Sequence, residues 1–143
     1  MANMTAATNA SYIQRKTSAY DMKRGGFALA AQVIFEGGMV GIDASTGLIR
    51  KGGGVIATFT GGMLGRVKRT FNPAVATDVI EWEQGIFRYT NVGGITIASR
   101  GKVCYADDDQ SVSLTNTNVI AGVIEDVDSV GVWVLIGPDT RVP

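Results

Sequence analysis

The residue types that perform most enzyme chemistry are scarce in this sequence. It contains no histidine and a single cysteine, Cys104. These counts exclude Ser-His-Asp triads, Cys-His dyads, histidine metal sites, an intrachain disulfide and any site built from several thiolates. Cys104 has apolar neighbours on a predicted strand, so we expect a small buried side chain rather than a nucleophile.

Acidic residues provide the nearest approach to a metal site. Asp107–Asp109 could bind a divalent cation, and Asp126 and Asp128 of the following predicted hairpin could lie nearby. The run lacks the alternating order of aspartates and the glycine of a calcium loop. We therefore expect a solvated turn, keep weak Ca²⁺ binding as the alternative, and predict no resident metal or cofactor.

Two glycine-rich segments could in principle cradle a phosphate group. They are Lys51–Gly54 and Gly61–Arg66. Neither matches a P-loop or a G-x-G-x-x-G sequence at the start of a helix. We interpret both as loops between strands.

A short basic stripe precedes the middle of the chain. Arg66, Lys68 and Arg69 are followed by Phe71. Alternation along a strand would place Arg66 and Lys68 on one face, which would suit docking on an acidic partner surface or an acidic neighbouring subunit. The alternative is a solvated edge strand whose cations discourage aggregation.

Composition and spacing predict the elements that hold these residues. The chain has 143 residues, 45% of them hydrophobic and 18% charged, and its 19 glycines argue against a helical protein. Turn signals recur every 8–12 residues, a spacing that favours an all-β fold. We predict a compact antiparallel β-sandwich or barrel with an extended N-terminal arm.

Individual strands can be placed by their apolar pattern. Val130–Ile136 is apolar on both faces, so it must lie centrally in the fold or against another subunit. Trp133 would be an anchor at such a subunit interface. If the strand is central, Trp133 belongs to the core. Val79–Glu83 places Ile80 and Trp82 inward and Glu81 and Glu83 outward. Other strands are predicted at 32–36 and 55–60, and Ile95–Arg100 is expected to form one helical turn that ends at Gly101.

The first 29 residues differ from the rest. They combine a polar start with a few apolar and basic side chains, so we predict an arm over 1–29, flexible or ordered on binding, and a β-rich domain over 30–143. The alternative is an ordinary frayed terminus. The residues predicted to contact a partner surface or another subunit are Tyr12, Ile13, Arg15, Lys16, Tyr20, Met22, Lys23, Arg24, Arg66, Lys68, Arg69 and Trp133.

Charge is balanced overall but unevenly distributed. Residues 1–75 hold nine Lys/Arg and three Asp/Glu, whereas residues 76–143 hold four and ten. Opposed halves suit self-association or docking on a charged surface, unless the two signs interleave after folding. A neutral chain without an apolar span or signal core predicts no direct nucleic-acid partner, no membrane partner and synthesis in the cytosol.

Several of these patterns resemble one family of structural proteins. The segments that carry the resemblance are Glu36–Arg50, Gly85–Asn91, Gly101–Ser113 and Ala121–Ile136. The Gly-Lys-Val-Cys-Tyr strand with its acidic turn, followed by Gly-Val-Trp-Val, is the most distinctive pairing. Over about residues 33–137 the chain resembles the capsid cement, or head decoration, proteins of tailed phages and prophages.

The resemblance implies a role without catalysis. Such proteins bind the outer surface of the major capsid shell, often as homotrimers, and stabilise it against the pressure of packaged DNA. The expected partners are the major capsid protein and further copies of this chain, and the expected location is the exterior of the virion.

Two other functions remain open on the sequence. One is a head-fibre or tail-associated module that binds carbohydrate or protein, for which Tyr12, Tyr20 and Tyr89 could supply exposed aromatic rings. The other is a trimeric all-β nucleotide pyrophosphatase. Gly122–Asp126 faintly resembles the central motif of the dUTPases, although the Tyr-Arg-Gly that should follow is missing.

Overall fold

Two β-sheets form the framework of the residues that the computed structural model describes, which are 14–16 and 23–141. The all-β prediction is confirmed, since the only helical elements in these ranges are 3-10 turns at Ile56–Thr58, Ile97–Ser99 and Pro138–Thr140. The strands are β1 (Gln14–Lys16), β2 (Lys23–Phe27), β3 (Met39–Ile42), β4 (Ile49–Lys51), β5 (Gly65–Arg66), β6 (Val79–Glu83), β7 (Gly85–Asn91), β8 (Val103–Asp108), β9 (Ser111–Ser113), β10 (Val119–Val127) and β11 (Val132–Ile136).

The C-terminal strands close into a five-stranded barrel. Their order is β7-β11-β10-β8-β9, and β9 pairs back onto β7 in parallel through Thr90 with Ser111 and Asn91 with Val112. Strand β11 lies between β7 and β10, which confirms the central position predicted for the doubly apolar strand. The barrel core includes Phe87, Tyr89, Cys104, Ile124, Val132, Val134 and Ile136.

The N-terminal sheet is antiparallel, with the order β2-β6-β5-β3-β4. Ala28, directly after β2, forms a parallel bridge with Ile49 of β4, so the sheet curls around its own apolar cluster. That second core contains Ala28, Ile34, Val40, Ile49, Leu64, Val67, Ile80 and Trp82. The inward position predicted for Ile80 and Trp82 is therefore confirmed.

A single residue, Gln84, joins strand β6 of one sheet to strand β7 of the other. Strand β6 ends at Glu83 and β7 begins at Gly85. Gln84 is buried, and its side-chain amide donates to the Leu64 carbonyl at 3.2 Å. The chain thus passes from one sheet into the other with no loop between them.

Part of the predicted arm belongs to the sheets. Strand β1 pairs with β7 through Gln14 with Phe87 and Lys16 with Ile86, and β2 pairs with β6. Arg15, Lys16, Lys23 and Arg24 therefore lie on strand backbone. The predicted contacts Tyr12, Ile13, Tyr20 and Met22 lie outside the described residues.

Two predicted strands are absent from the described structure. Residues 55–60 form the 3-10 turn Ile56–Thr58, and only Phe59 turns inward, bridging Asp43. Residues 32–36 contribute only a bridge at Ile34. The helical turn near residue 97 and its end at Gly101, where φ is +83°, are as predicted. Among the described residues, no helix has the length and apolar character needed to cross a membrane.

Candidate docking groove

Two adjoining depressions form a groove beside strand β6. The larger, of about 400 Å³, is lined by Lys68, Arg69, Phe71, Glu81 and Trp82. The smaller, of about 240 Å³, shares Arg69 and Phe71 and is completed by residues 72, 73 and 78–80. Arg69 and Phe71 therefore form a ridge between the two depressions.

The shortness of β5 creates this groove. Strand β5 pairs with β6 only through Arg66 and Glu83. The chain then turns away, because Phe71 exchanges two backbone hydrogen bonds of 2.8 and 2.9 Å with Ile34. No strand of the described part of the chain occupies the space between residues 68–72 and β6.

The exposed cations of the groove belong to the predicted basic stripe. The Arg69 guanidinium lies 4.7 Å from the centre of the Phe71 ring, a distance at which cation and ring attract each other. Lys68 is half exposed, and its Nζ lies 3.3 Å from Glu83 Oε2. The carboxylate of Asp78 accepts from the backbone N–H groups of Ala74 and Val75, so it is already engaged.

The third member of the stripe, Arg66, is buried. It is 3% exposed, forms an ion pair with Glu83, and its guanidinium lies 4.3 Å from the Phe87 ring centre. Arg66 and Lys68 both contact the Glu83 carboxylate, but the buried Arg66 cannot contribute to the predicted docking patch. The outward position predicted for Glu83 is also wrong, since it is 1% exposed. The cause is the junction of the sheets, which covers the end of β6 and buries both charges together.

Tyr89 lies in the same buried region. It is 1% exposed, so it is not the exposed aromatic ring suggested by the sequence. Burial raises the pKa of its hydroxyl well above the usual value, and the neighbouring charge of Arg66 opposes that shift. Because its ring is buried and its hydroxyl stays neutral, Tyr89 offers no surface for a ligand.

Trp133 is buried, as in the core alternative, and is not the exposed capsid or subunit contact that was also predicted. It is 7% exposed, and its indole N–H donates to Asp128 Oδ2 at 2.8 Å across the β10–β11 hairpin. This bond, followed by the bond from the Val130 N–H, lowers the pKa of Asp128. Trp133 thus stabilises the hairpin and offers little surface to a partner.

The Asp107–Asp109 run is not the solvated turn we expected. Asp108 and Asp109 are buried because a distant segment covers them: the Met39 N–H donates to the Asp109 carbonyl at 2.9 Å. Gly53 approaches so closely that a Cβ there would lie 2.3 Å from Asp108 Cα. Within residues 14–16 and 23–141, no group of three or more acidic, thiol or imidazole side chains could hold a metal ion.

The remaining candidates have structural roles. Cys104 is fully buried, as predicted, and burial raises the pKa of its thiol to about 12. The Lys51–Gly54 loop packs on the barrel, where the Gly54 N–H donates to Ala106 O at 2.9 Å. Gly122–Asp126, the segment compared with the dUTPases, lies inside β10 between β8 and β11.

The chain matches no protein-family model, no curated protein and no solved structure. Its function must therefore be argued from residues and geometry. The sequence indicated the cations of the groove but not its shape, since the position of Phe71 depends on the bridge to Ile34. The arrangement favours noncovalent docking, because the groove combines exposed cations, an aromatic surface and the side of a strand.

Proposed function

We propose that this chain is a non-enzymatic virion structural protein. It acts as a capsid cement, or decoration, protein that binds the outer surface of the major capsid shell and stabilises it against internal DNA pressure. The functional unit is a homotrimer. The sequence resemblance described above supplies the family, and the groove supplies a surface for docking.

The observation that carries the proposal is the exposed cationic ridge. Arg69 is stacked on Phe71 and is next to half-exposed Lys68. Stacking holds the guanidinium in place before a partner arrives, which reduces the conformational entropy lost on docking. Weak contacts of this kind suffice on a repeating lattice, because many copies bound to one assembly add up through multivalency.

The test is binding to empty shells of the phage that encodes the chain. We expect wild-type protein to sediment with purified shells in stoichiometric amounts and to raise their disruption temperature. The double variant Lys68→Glu, Arg69→Glu should bind at least about tenfold more weakly, since two attractive charge contacts become repulsive. Lys102→Glu, an exposed cation on the barrel, is the matched control.

Absence of shell binding by the wild-type protein would contradict the proposal. Turnover of dUTP or another nucleotide by purified protein would favour the pyrophosphatase instead. Analytical ultracentrifugation tests the trimer, which a monomer at all concentrations would contradict.

A carbohydrate-binding head-fibre or tail module is the second candidate. The observation that favours it is the pair of aromatic residues, Phe71 and Trp82, that line the larger depression. Retention on a glycan array that is lost in Phe71→Ala would support this alternative over the capsid shell.

A further inference from the structure

The pairing of β6 with β2 fixes the direction of its backbone groups. Val79 lies opposite Phe27, Glu81 lies opposite Gly25, and the Ala28 N–H donates to the Asp78 carbonyl at 2.8 Å. Hydrogen-bonded and non-hydrogen-bonded pairs alternate along an antiparallel ladder. Ile80 and Trp82 therefore bond to β2, whereas the N–H and C=O groups of Val79 and Glu81 point to the opposite side.

That opposite side is the groove. Among the strands that the structure describes, only β5 lies on that side, and it pairs with β6 at Glu83 alone. Within the described part of the chain, no backbone hydrogen bond reaches Val79 or Glu81 from this side. Two N–H and two C=O groups thus face the groove, with the two-residue spacing of an open strand edge.

An open edge of this kind is a template for another strand. When an extended peptide adds to a sheet, its main chain supplies the hydrogen bonds and its alternate side chains supply specificity. Here the peptide would run between β6 and the ridge of Arg69 and Phe71. The cations Lys68 and Arg69, on the wall opposite β6, attract carboxylate side chains, and the exposed carboxylate of Glu81 on β6 requires those side chains to point toward that wall.

We propose that an extended acidic segment of the capsid shell protein adds as a strand along Val79–Glu81, with its carboxylates against Arg69 and Lys68. The identity of this partner rests on the proposed function. The strand-addition site itself rests only on the β6 register, the early end of β5 and the charge of the ridge.

A second copy of the chain fits this groove less well. Its acidic half forms a closed barrel, in which strands β7–β11 are paired on both sides and offer no free edge. Asp108 and Asp109 are buried, and Asp128 already accepts from Trp133, Val130 and Gly131. Within the described part of the chain, no unpaired acidic strand remains to be donated.

The test uses a synthetic probe, the acetylated and amidated heptapeptide Thr-Val-Glu-Val-Glu-Val-Thr, and the full-length protein. Amide hydrogen exchange followed by NMR should slow at least about tenfold at Val79 and Glu81 when the peptide is saturating. Exchange at Ile80 and Trp82 should not change, because those amides already bond to β2. This alternation distinguishes strand addition from binding at the surface.

Matched probes keep the test independent of protein folding. Two probes carry N-methyl groups at alternate residues, one at the odd and one at the even positions. The probe whose methyl groups replace the N–H groups that bond to β6 should lose binding, and the other should keep it. Replacing both glutamates of the probe by lysine, or making Arg69→Glu, should weaken binding by about tenfold or more, whereas Lys102→Glu should not.

Each contrary result has a distinct meaning. Equal binding by both N-methylated peptides, or no protection at Val79 and Glu81, would overturn strand addition. Concentration-dependent protection at both amides without peptide would overturn the choice of partner in favour of a second copy. Peptide binding without any shell binding would overturn the proposed function while leaving the groove intact, and shell binding that survives Arg69→Glu would overturn the assigned partner segment.

Discussion

In the C-terminal barrel each of strands β7–β11 has a neighbour on both sides. In the N-terminal sheet, by contrast, the described strands pair with β6 on one side only from Val79 to Trp82. The difference follows from strand length. Strand β9 reaches back to β7 and removes both edges, but β5 contains two residues and cannot cover β6. The closed barrel has no free strand edge, whereas the short pairing of β5 with β6 leaves an open strand edge beside the groove.

Charge follows the same division. Carboxylates near the barrel, such as Asp108 and Asp109, are buried beneath other segments. The groove instead presents Lys68 and Arg69 at the surface. Three carboxylates of the acidic half, those of Glu83, Asp108 and Asp109, are thus withdrawn from the surface, whereas Lys68 and Arg69 stay exposed beside β6 together with Glu81.

The largest expected effect contrasts two phenylalanines, one in each region. Phe87→Ala should destabilise the protein by about 3–5 kcal/mol, because it opens a cavity in the barrel and removes the ring beneath Arg66. Phe71→Ala, half buried at the groove, should cost about 1–2 kcal/mol. Urea unfolding of both variants measures the difference, and equal costs would show that the groove is packed as tightly as the barrel.

The next effect concerns the buried charge where the regions meet. Glu83→Gln should lower the free energy of unfolding by about 2–3 kcal/mol, because the neutral amide leaves the buried Arg66 guanidinium without its carboxylate. Glu81→Gln, on the same face of β6 but exposed, should change it by less than about 0.5 kcal/mol. Chemical denaturation compares the two variants, and similar values would mean that the Arg66–Glu83 pair contributes nothing measurable.

The smallest effect compares two turn carboxylates, one in each region. Asp43 accepts from Thr46 Oγ1 at 2.8 Å and from Arg50 Nη1 at 2.7 Å, and these bonds hold its pKa well below the usual range. Asp128 has a lowered pKa through Trp133. Carboxylates of this kind stabilise the fold above the unfolded-state pKa of about 3.9, and that stability is lost as the pH falls toward the folded-state value.

Denaturant midpoints between about pH 5 and about pH 2 should therefore fall for the wild-type protein. Asp43→Asn should flatten this acid dependence more than Asp128→Asn, since a guanidinium as well as hydroxyls stabilises the Asp43 carboxylate. If the denaturant midpoint fell equally with pH in the wild type and in both variants, neither turn would contribute to stability in acid.

The fold was predictable where local pattern determined position. An apolar strand at Val130–Ile136 could lie only between other strands, and it does, as β11. Gly101 could end a helical turn with positive φ because it lacks a Cβ, and the turn ends there. These predictions needed only the spacing of apolar residues and one glycine.

The groove was only partly predictable, because distant contacts create it. Lys68 and Arg69 were identified by charge alone, but Arg66, the third cation of the basic stripe, is buried in an ion pair with Glu83 of another strand. A run of aspartates predicts a solvated loop unless a distant segment, here Gly53 and Met39, covers it. The open side of β6 depends on the bridge between Ile34 and Phe71, which no local pattern indicates.

The one-residue connection at Gln84 has a mechanical consequence. A pull on a strand bound beside Val79 would pass along β6, through Gln84 and into β7, which is itself held by β1, β9 and β11. Such a load acts parallel to the strands, so many ladder hydrogen bonds resist it together instead of peeling apart one after another. Tension applied to β6 would therefore be shared by the barrel strands that pair with β7, because no flexible loop separates β6 from β7.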